Sequence, residues 1–478
     1  MKRTKIVATL GPASNNHKSI TELAKAGVDV FRLNFSFGSD EEHLKTISTI
    51  RKVSEELNQS IAILQDLQGP KIRVATLKEP VVVKKNQQVI LSGNSVHKEP
   101  LYIPTTYKQI AGDTESGKTI LLADGKIILK VVKTDKKRKE VLCKVVNGGK
   151  ILTGKGINLP YTDISLPALT PKDREDALFG IKAGVDYMGL SFVRHAEDVL
   201  KLKRLMKKEG RDIPVIAKIE KPEGVDNLDE IMEVAEGVMV ARGDLAVEIS
   251  FAKVPLVQKE ILRRANLRGR LTIVATEMLS SMVDNPRPTR AEASDVANAV
   301  LDGTDAVMLS NETAMGRFPL KSVSAMKNIV TETESSLLNE NYHLTLDMPE
   351  IQDLTEAMCE SAAHLSYYLD ERAIAVITHS GSSVNVISKY RPQSPIYAAA
   401  FSKEVYHKMA LFHNVYPILL DDSDLRAEDD NTTCTLEQFE VILRKKKLIK
   451  SGNSLIFLTG DISPKGWNVN TVKVVNIR

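Results

Sequence analysis

Three short apolar runs of this chain each end beside a residue that could bind a phosphate or a divalent metal ion. The runs end at Lys218-Ile-Glu220, at Arg242-Gly243-Asp244 and at Thr276. Each run is rich in valine and isoleucine and is separated from the next by an amphipathic stretch of helical length, which is typical of buried parallel strands connected by helices. Ligands of such sheets bind beyond the carboxyl ends of the strands. We therefore expect two carboxylates, an ammonium and a hydroxyl to share one site.

Glu220 and Asp244 are the candidate ligands of a divalent metal. Mg²⁺ (or Mn²⁺) is usually held by one or two carboxylates together with substrate oxygens and water. Gly243 precedes Asp244, and a glycine lets the backbone approach a ligand closely. Lys218 and Glu220 are two residues apart, so on a strand their side chains point to the same face. An ion pair without catalytic function is the alternative interpretation of that spacing.

Earlier strands add cationic and amide side chains to the same end. Strict alternation places Arg32, Asn34 and Ser36 on one side of a strand. Asp66 ends the next apolar run, and the cationic segment Gln68–Arg73 follows it. Carboxylates for cations and several cationic groups for phosphates are what phosphoryl transfer needs, because that reaction depends on positioning and charge neutralisation.

The order of the elements predicts a (β/α)8 TIM barrel, because eight apolar strands alternate with helical patterns and crossovers are right-handed. The expected strands lie near Lys5–Leu10, Asp29–Asn34, Ile61–Asp66, Asp186–Phe192, Val215–Glu220, Val238–Arg242, Thr272–Thr276 and Ala306–Ser310. Between the third and fourth of them the chain changes to short strands punctuated by Gly, Asn and Asp, which predicts an inserted all-β domain. Its place on a barrel loop suggests a lid, and an insertion without a catalytic part is the alternative.

A smaller open α/β unit is expected to follow the barrel. The predicted division is residues 1–69 and 167–340 for the barrel, 70–166 for a β-barrel lid and 341–478 for a C-terminal α/β regulatory domain. The first strand of that last unit runs into a loop that could form a backbone nest for a phosphate. The loop residues concerned are Thr378, Ser380, Gly381, Ser382 and Ser383. A plain turn that caps the next helix is the alternative interpretation.

Composition excludes several other classes of protein. The 65 Lys and Arg residues nearly balance the 61 Asp and Glu residues, and the net charge of +4 argues against a nucleic-acid surface. The three cysteines lack paired metal spacing and a disulfide framework, which favours a reducing compartment. No apolar stretch approaches the ~20 residues that span a bilayer, and the first residues do not resemble a signal peptide. We expect a cytoplasmic protein without a nucleic-acid or membrane partner.

Several motifs, in order along the chain, resemble those of the pyruvate kinase family over essentially the whole length. The matching segments are Thr4–Ser14, Phe31–Ser36, Lys155–Pro160, Ile219–Gly224, Met239–Leu245, Pro288–Glu292 and Ser294–Gly303. The resemblance implies a barrel with an inserted lid and a regulatory domain, and phosphoenolpyruvate and ADP as substrates. It also implies Mg²⁺ (or Mn²⁺) as cofactor, a homotetramer, and a phosphorylated small-molecule effector bound at Thr378–Ser383.

The resemblance also implies a role for each matched residue. Lys218 would stabilise the phosphoryl group during transfer, Arg32 would bind it, and Glu220 with Asp244 would hold the metal. Gly243, Asp244 and Thr276 would contact phosphoenolpyruvate, with Thr276 near the enolate that is protonated. The residues implied for nucleotide binding are Asn34, Ser36, Phe37, Arg73 and Lys155. Phe37 replaces the histidine that is usual in the family.

The segment around Lys71 resembles the potassium-independent branch of the family. Most members need K⁺ and have a glutamate at the position of Lys71 and a threonine at that of Leu67. The residues corresponding to their cation site are Asn34, Ser36, Asp66 and the carbonyl of Leu67. A tethered ammonium could supply the charge of the ion, so K⁺ is not expected to be required and Lys71 is expected to pair with these groups. The alternative is that Lys71 points to solvent and K⁺ still binds.

Two rival functions stay open at this stage. Barrel lyases and aldolases that act on pyruvate also place a metal between two carboxylates, but they would not need Lys155, the lid or the Arg73 turn. A catalytically silent regulator could have kept the same fold, although the intact set of catalytic residues argues against it. Turnover of phosphoenolpyruvate with and without ADP distinguishes these possibilities.

Overall fold

The computed structural model describes residues 2–94, 101–339, 351, 353–369, 372–420, 432–463 and 466–477. Its strands are β1 Lys5–Thr9, β2 Val30–Asn34, β3 Ala62–Asp66, β4 Val81–Val83, β5 Gln88–Ser92, β6 Tyr102–Pro104, β7 Thr119–Leu122, β8 Ile127–Asp135, β9 Glu140–Asn147, β10 Gly149–Ile151, β11 Ile157–Asn158, β12 Tyr187–Leu190, β13 Val215–Ile219, β14 Gly237–Ala241, β15 Leu271–Ala275, β16 Ala306–Leu309, β17 Arg372–Thr378, β18 Ile396–Ala400, β19 Val415–Leu419, β20 Ser454–Ser463 and β21 Gly466–Asn476.

The helices alternate with these strands along much of the chain. They are α1 His17–Ala26, α2 Asp40–Leu57, α3 Ile110–Asp113, α4 Pro171–Ala183, α5 Ala196–Lys208, α6 Pro222–Asp226, α7 Leu228–Val234, α8 Arg242–Glu248, α9 Val254–Leu267, α10 Arg290–Leu301, α11 Asn311–Ala314, α12 Pro319–Asn339, α13 Leu354–Tyr368, α14 Ser382–Lys389, α15 Lys403–Lys408 and α16 Thr432–Lys445. Within the described ranges, no helix is both long enough and apolar enough to cross a membrane.

Eight parallel strands close a barrel, which confirms the predicted (β/α)8 fold. The order around the barrel is β1-β2-β3-β12-β13-β14-β15-β16, and β16 pairs again with β1. Helices connect these strands, and their ends follow local sequence signals. Thr289 and Glu292, for example, form a reciprocal capping box at the start of α10. All eight strands run in the same direction, so their carboxyl ends, and the residues that follow them, meet at one end of the barrel.

The insertion predicted after the third barrel strand is present as the strands β4 to β11. These strands form a six-stranded sheet, in the order β11-β7-β8-β9-β5-β6, and a separate two-stranded sheet of β10 and β4. This arrangement differs from the closed β-barrel expected from the sequence. The insertion encloses its own apolar core, which includes Val89, Leu129 and Val141, as expected of a separate domain.

The C-terminal domain is an open sheet in the order β19-β18-β17-β20-β21, parallel except for the antiparallel hairpin of β20 and β21. The sequence predicts strands here at Ala373–Thr378, Ile396–Ala400, Ser454–Leu458 and Val472–Val475, and it does not predict β19. Pro417 within β19 cannot donate a ladder hydrogen bond. The structure places β19 at the edge of the sheet, where the missing N–H is tolerated. The expected domain boundary at residues 340 and 341 lies outside the described residues.

One apolar core joins the barrel interior to the C-terminal domain. Leu64 and Ile216 inside the barrel belong to the same buried cluster as Leu411 and Phe412 of the C-terminal domain. The Tyr187 hydroxyl, on a fully buried side chain, donates to the carbonyl of Lys408 at 2.6 Å. The C-terminal domain therefore covers the amino-terminal end of the barrel, and the carboxyl ends of the barrel strands face the lid.

Candidate active site

Lys218 lies at the centre of a buried ionic cluster at the carboxyl ends of β3 and β13. Its Nζ is 3.0 Å from Asp66 Oδ1 and 3.0 Å from Glu220 Oε1, and it donates to Ser191 Oγ at 2.6 Å. Burial alone would lower the pKa of Lys218, but Asp66 and Glu220 raise it above its ordinary value. The ammonium is therefore charged, and two carboxylates and a hydroxyl hold it in place.

Asp66 holds a second cation beside Lys218. The Arg32 Nε donates to Asp66 Oδ2 at 2.7 Å, and its Nη1 donates to Thr9 Oγ1 at 3.0 Å. Burial would raise the pKa of Asp66, but Lys218 and Arg32 outweigh burial and lower it. One ionised carboxylate thus fixes two cationic side chains next to each other, and such a pair is suited to a phosphoryl group.

Glu220 and Asp244 provide the carboxylates for a metal. Glu220 Oε2 accepts a hydrogen bond from the Phe192 amide at 2.8 Å, which fixes the carboxylate. Burial and then the negative charge of Asp244, opposed by Lys218, raise the pKa of Glu220 to about 6. Asp244 lies in the first turn of α8, and its side chain is about one third exposed. A divalent cation fits this pair, because it would relieve the repulsion between two carboxylates and complete its shell with substrate and water.

Thr276 adopts a backbone conformation that is unusual for a β-branched residue. Its φ of 68° lies in the left-handed region, which costs energy and persists only where the surroundings fix it. Arg242 Nη2 donates to the Thr276 carbonyl at 2.7 Å, and Asp295 in turn pairs with Arg242 at 2.7 Å. The Gly243 amide donates to Thr276 Oγ1 at 2.7 Å. The strained turn therefore presents the Thr276 hydroxyl to the start of α8.

The side chain of Lys71 points to the metal side of the site. Its Nζ lies 3.7 Å from Asp244 Oδ1. The expected pairing of Lys71 with Asp66 is not what the structure shows, because Arg32 and Lys218 already occupy the Asp66 carboxylate. Asn34 and the Leu67 carbonyl, also expected at a monovalent-cation site, form hydrogen bonds within the protein.

These hydrogen bonds occupy the side-chain oxygen of Asn34 and the backbone carbonyl of Leu67. Asn34 Oδ1 accepts from the Ser36 amide at 3.1 Å. The carbonyl of Leu67 accepts from Ser191 Oγ at 2.7 Å. The same Ser191 hydroxyl accepts a hydrogen bond from the Lys218 ammonium. The structure therefore connects the Leu67 carbonyl with the Lys218 cluster through one hydroxyl.

The residues implied for nucleotide binding lie at the lid side of the site. Arg73 Nη1 donates to the Gly154 carbonyl at 3.0 Å, and the Val74 amide donates to the Lys155 carbonyl at 2.8 Å. Arg73 and Lys155 thus belong to adjacent segments at the root of the lid. Phe37 is 69% exposed on the loop after β2. An aromatic ring so exposed is available for stacking on a base.

Several residues that support the site were missed from the sequence. Thr9 holds Arg32, Ser191 holds Lys218 and Asp295 holds Arg242. Ser191 directly follows β12, so its position at the carboxyl end of a barrel strand could have identified it. Asp295 lies within helix α10, in the Ser294–Gly303 segment that resembles the family, but its spacing along that helix does not indicate that it pairs with Arg242.

The predicted effector loop forms a turn before α14. The Gly381 amide donates to Thr378 Oγ1 at 2.9 Å, and Gly381 has a φ of 85°, a conformation that favours glycine. Thr378 and Ser383 are buried, whereas Ser380 and Ser382 are exposed and their hydroxyls lie 2.9 Å apart. Two exposed hydroxyls therefore stand at the start of a helix whose N-cap residue has no side chain.

Comparisons with known proteins agree with this architecture. The family model for "Pyruvate kinase, barrel domain" matches residues 1–323, and that for "Pyruvate kinase, alpha/beta domain" matches residues 356–475. A protein named pyruvate kinase from Bacillus licheniformis is 41% identical over 479 residues, covering 99% of this chain and 80% of that protein. The pyruvate kinase of Staphylococcus saprophyticus is 46% identical over 478 residues, with the same coverage. That of Staphylococcus aureus strain MRSA252 is 45% identical over 422 residues, covering 88% of this chain and 72% of that protein. The chain therefore belongs to the pyruvate kinase family.

Proposed function

We propose that this chain transfers the phosphoryl group of phosphoenolpyruvate to ADP, giving pyruvate and ATP, as the last step of glycolysis. The observation that carries the proposal is the buried cluster in which Asp66 fixes Lys218 and Arg32 side by side. A phosphoryl group in transfer carries dispersed negative charge and needs positioned cations more than covalent chemistry. Family membership agrees with this reaction.

The chain's own residues bind and orient the donor. Arg32 and Lys218 contact the phosphoryl group. Lys218 also stabilises the negative charge that develops between donor and acceptor during transfer. Glu220 and Asp244 hold Mg²⁺ (or Mn²⁺), which neutralises phosphate charge when it is bound. The start of α8 at Gly243 and Asp244, together with Thr276, receives the carboxylate end of phosphoenolpyruvate.

Thr276 completes the reaction after transfer. The departing enolate must take a proton on its methylene carbon to become pyruvate. The Thr276 hydroxyl accepts from the Gly243 amide at 2.7 Å and donates to the Ala275 carbonyl at 2.6 Å. This chain of hydrogen bonds fixes the hydroxyl, so that it orients the proton donor at that carbon.

The lid supplies the nucleotide contacts. Arg73 and Lys155 bind the phosphates of ADP, with Phe37, Asn34 and Ser36 on the barrel side of the same cleft. Closure of the lid over the site excludes water, which would otherwise take the phosphoryl group from ADP.

Lys71 replaces the potassium ion that most family members need. In this structure its Nζ lies 3.7 Å from Asp244 Oδ1, and both side chains are about one third exposed. It thus brings a positive charge to the metal side of the site without a bound monovalent ion. Asn34, Ser36, Asp66 and the Leu67 carbonyl then serve to shape the site and not to ligate K⁺.

Regulation and assembly follow the family expectation. Thr378, Ser380, Gly381, Ser382 and Ser383 form the site for a phosphorylated small-molecule effector, supported by the two exposed hydroxyls before α14. The active protein is a homotetramer of the cytoplasm.

A coupled assay tests the proposed reaction. Pyruvate is measured from phosphoenolpyruvate and Mg²⁺ with and without ADP, and ATP is measured in parallel. Equal amounts of pyruvate and ATP are expected, and only when ADP is present. Pyruvate formed without ADP would indicate a lyase or hydrolase, and no turnover under any condition would indicate a silent regulator.

A further inference from the structure

A short segment after β12 contacts both of the connections that join the lid to the barrel. The segment is residues 191–194, the first lid connection is residues 67–72, and the second is residues 159–169. Ser191 and Val193 are buried, and the side chain of Arg194 is only 12% exposed. Polar groups buried in an irregular segment need specific partners, and those of the 191–194 segment are found in the two lid connections and in the ionic cluster.

The 191–194 segment holds the first lid connection through Ser191. The Ser191 hydroxyl donates to the Leu67 carbonyl at 2.7 Å. Gly69 has a φ of 70°, and a Cβ at that position would lie 2.8 Å from the Cβ of Ser191, closer than two unbonded carbon atoms approach. Glycine therefore lets this connection lie directly against the segment.

Arg194 holds the second lid connection with both arms of its guanidinium. Its Nη1 donates to the Ile164 carbonyl, and its Nη2 donates to the Leu166 carbonyl at 2.8 Å. The side chains of Ile164 and Leu166 pack in or against the apolar core of the lid. A planar guanidinium can bond two carbonyls at once in a fixed geometry, which a single ammonium cannot reproduce. Arg194 therefore attaches the edge of the lid to the barrel.

The lid holds the same three residues from its own side. The amide and the hydroxyl of Ser165 donate to Asp113 Oδ2 at 2.8 Å and 3.0 Å. Asp113 ends helix α3 of the lid, and it also accepts from the hydroxyl of Tyr107. Residues 164–166 are thus bonded to the barrel through Arg194 and to the lid through Asp113, so their geometry sets how the lid is placed on the barrel.

The 191–194 segment also fixes two groups of the candidate active site. Ser191 Oγ accepts from Lys218 Nζ at 2.6 Å, and the Phe192 amide donates to Glu220 Oε2 at 2.8 Å. Phe192 has a φ of 56°, a left-handed conformation that costs energy and persists only where the surroundings fix it. One rigid segment therefore determines the positions of Lys218, Glu220 and the lid together.

We propose that Arg194 is a positioning residue for phosphoryl transfer, which fixes Lys155 of the lid relative to Lys218 and Glu220. The inference rests on the proposed function, because that function assigns Lys155 to the nucleotide phosphates. Lys155 precedes the second lid connection in the chain, so the placement of that connection determines where its ammonium lies. Both terminal nitrogens of Arg194 donate to lid carbonyls, and Arg194 therefore acts through the lid and not on a substrate.

The variant Arg194→Lys tests this role, because it keeps the positive charge and loses the bond to one of the two carbonyls. We expect kcat/KM for ADP to fall by about tenfold, since small misplacements of positioned groups are costly in transfer reactions. The dissociation constant of phosphoenolpyruvate, measured by calorimetry with Mg²⁺, should stay within about twofold, because Ser191 and Phe192 still hold Lys218 and Glu220. Parental kcat/KM for ADP in Arg194→Lys would overturn the proposal.

Arg51→Lys is the matched control at the opposite end of the barrel. Arg51 also donates to two backbone carbonyls, those of Ile61 at 3.1 Å and Gly184 at 2.8 Å. Its replacement removes comparable bonds without touching a lid connection, so kcat/KM for ADP should stay within about twofold of the parent value. An equal fall in both variants would show a general loss of stability and would contradict a positioning role for Arg194.

Hydrogen–deuterium exchange of the full chain gives a readout that does not depend on turnover. Deuterium uptake over residues 162–169 should rise in Arg194→Lys and stay at the parental level in Arg51→Lys. Unchanged uptake in Arg194→Lys would overturn the attachment itself. Absence of turnover in the parent chain would instead refute the proposed function, so the two failures are distinguishable.

Discussion

Lys221 and Glu248 form a buried ion pair, with Nζ 3.0 Å from Oε2 and neither side chain more than 3% exposed. The other oxygen of Glu248 accepts from Asn158 Nδ2 of the lid strand β11 at 3.0 Å. Lys221 directly follows Glu220, and Glu248 ends the helix α8 that contains Asp244. One buried carboxylate therefore connects the segments of both candidate metal ligands with the root of the lid.

Replacement of Glu248 by Gln should weaken metal binding and the fold together. The amide can still accept from Asn158, but it leaves the Lys221 ammonium buried and unpaired, a change that costs ~3–5 kcal/mol. We expect a higher Mg²⁺ concentration at half-maximal turnover and a lower unfolding midpoint. The control Asn158→Ala removes only the lid contact and should cost ~1 kcal/mol with an unchanged Mg²⁺ requirement. The connection would be refuted by a Glu248→Gln enzyme with the Mg²⁺ dependence of the parent chain.

Replacement of Lys218 by Met should abolish most turnover and leave phosphoenolpyruvate binding largely intact. The ammonium acts on charge that develops during transfer, and one such preorganised group contributes ~3–4 kcal/mol, or about 10²–10³ in turnover. Arg32 remains as a cation for the bound phosphoryl group. Turnover is measured with the coupled assay and binding by calorimetry.

Lys172→Met is a matched control for Lys218→Met, because Lys172 also pairs with an aspartate, Asp176, but its side chain is 55% exposed. Its turnover should remain close to that of the parent chain, since Lys172 is not a member of the Lys218 cluster, and the buried Asp176 that loses its cation acts on stability. A Lys218→Met enzyme that is as active as this control would remove Lys218 from the reaction.

The enzyme should not need potassium. Turnover is measured in a buffer free of sodium and potassium, with tetramethylammonium maintaining ionic strength. Near-maximal activity is expected, because the ammonium of Lys71 would repel a nearby cation by ~4 kcal/mol at ~4 Å and an effective dielectric of 20. Lys71→Glu reverses that charge and should make activity depend on K⁺. Strong activation of the parent chain by K⁺ would contradict the prediction.

His407 should make the fold sensitive to mild acid. Its pKa in the folded chain is about 3, mainly because of burial, against an ordinary value of 6.5. The unfolded chain binds a proton below pH 6.5 and the folded chain does not, so stability is lost as pH falls through this range. The loss attributable to His407 is about 2 kcal/mol between about pH 6.5 and about pH 5.

The pH effect is measured as the difference in unfolding free energy between the parent chain and His407→Gln, which cannot titrate there. Urea unfolding at both pH values gives that difference. His407→Gln should lose less stability than the parent chain on acidification. A parallel loss in the two proteins would show that His407 does not contribute.

The sequence predicted the barrel well, because its strands are short apolar runs, most of them rich in valine or isoleucine, and all but β3 are followed directly by a helical pattern. The residues at the strand ends could be assigned to one site, because the carboxyl ends of parallel strands meet at one end of the barrel. Their exact partners could not be assigned, because contacts such as Asp66 with Lys218 depend on how non-adjacent strands face each other across the barrel. Asp66 was expected beside Lys71 and instead holds Arg32 and Lys218. The edge strand β19 was missed because Pro417 is unfavourable at any strand position except an edge.

The core that runs from the barrel interior into the C-terminal domain limits how this chain can be recombined. Tyr187 donates across the seam to the Lys408 carbonyl, and Leu64 and Ile216 share a buried cluster with Leu411. An isolated barrel would expose these side chains to water as an apolar surface at its amino-terminal end. A chimera that exchanges C-terminal domains between relatives must therefore transplant both faces of the seam, since the two domains share one hydrophobic core.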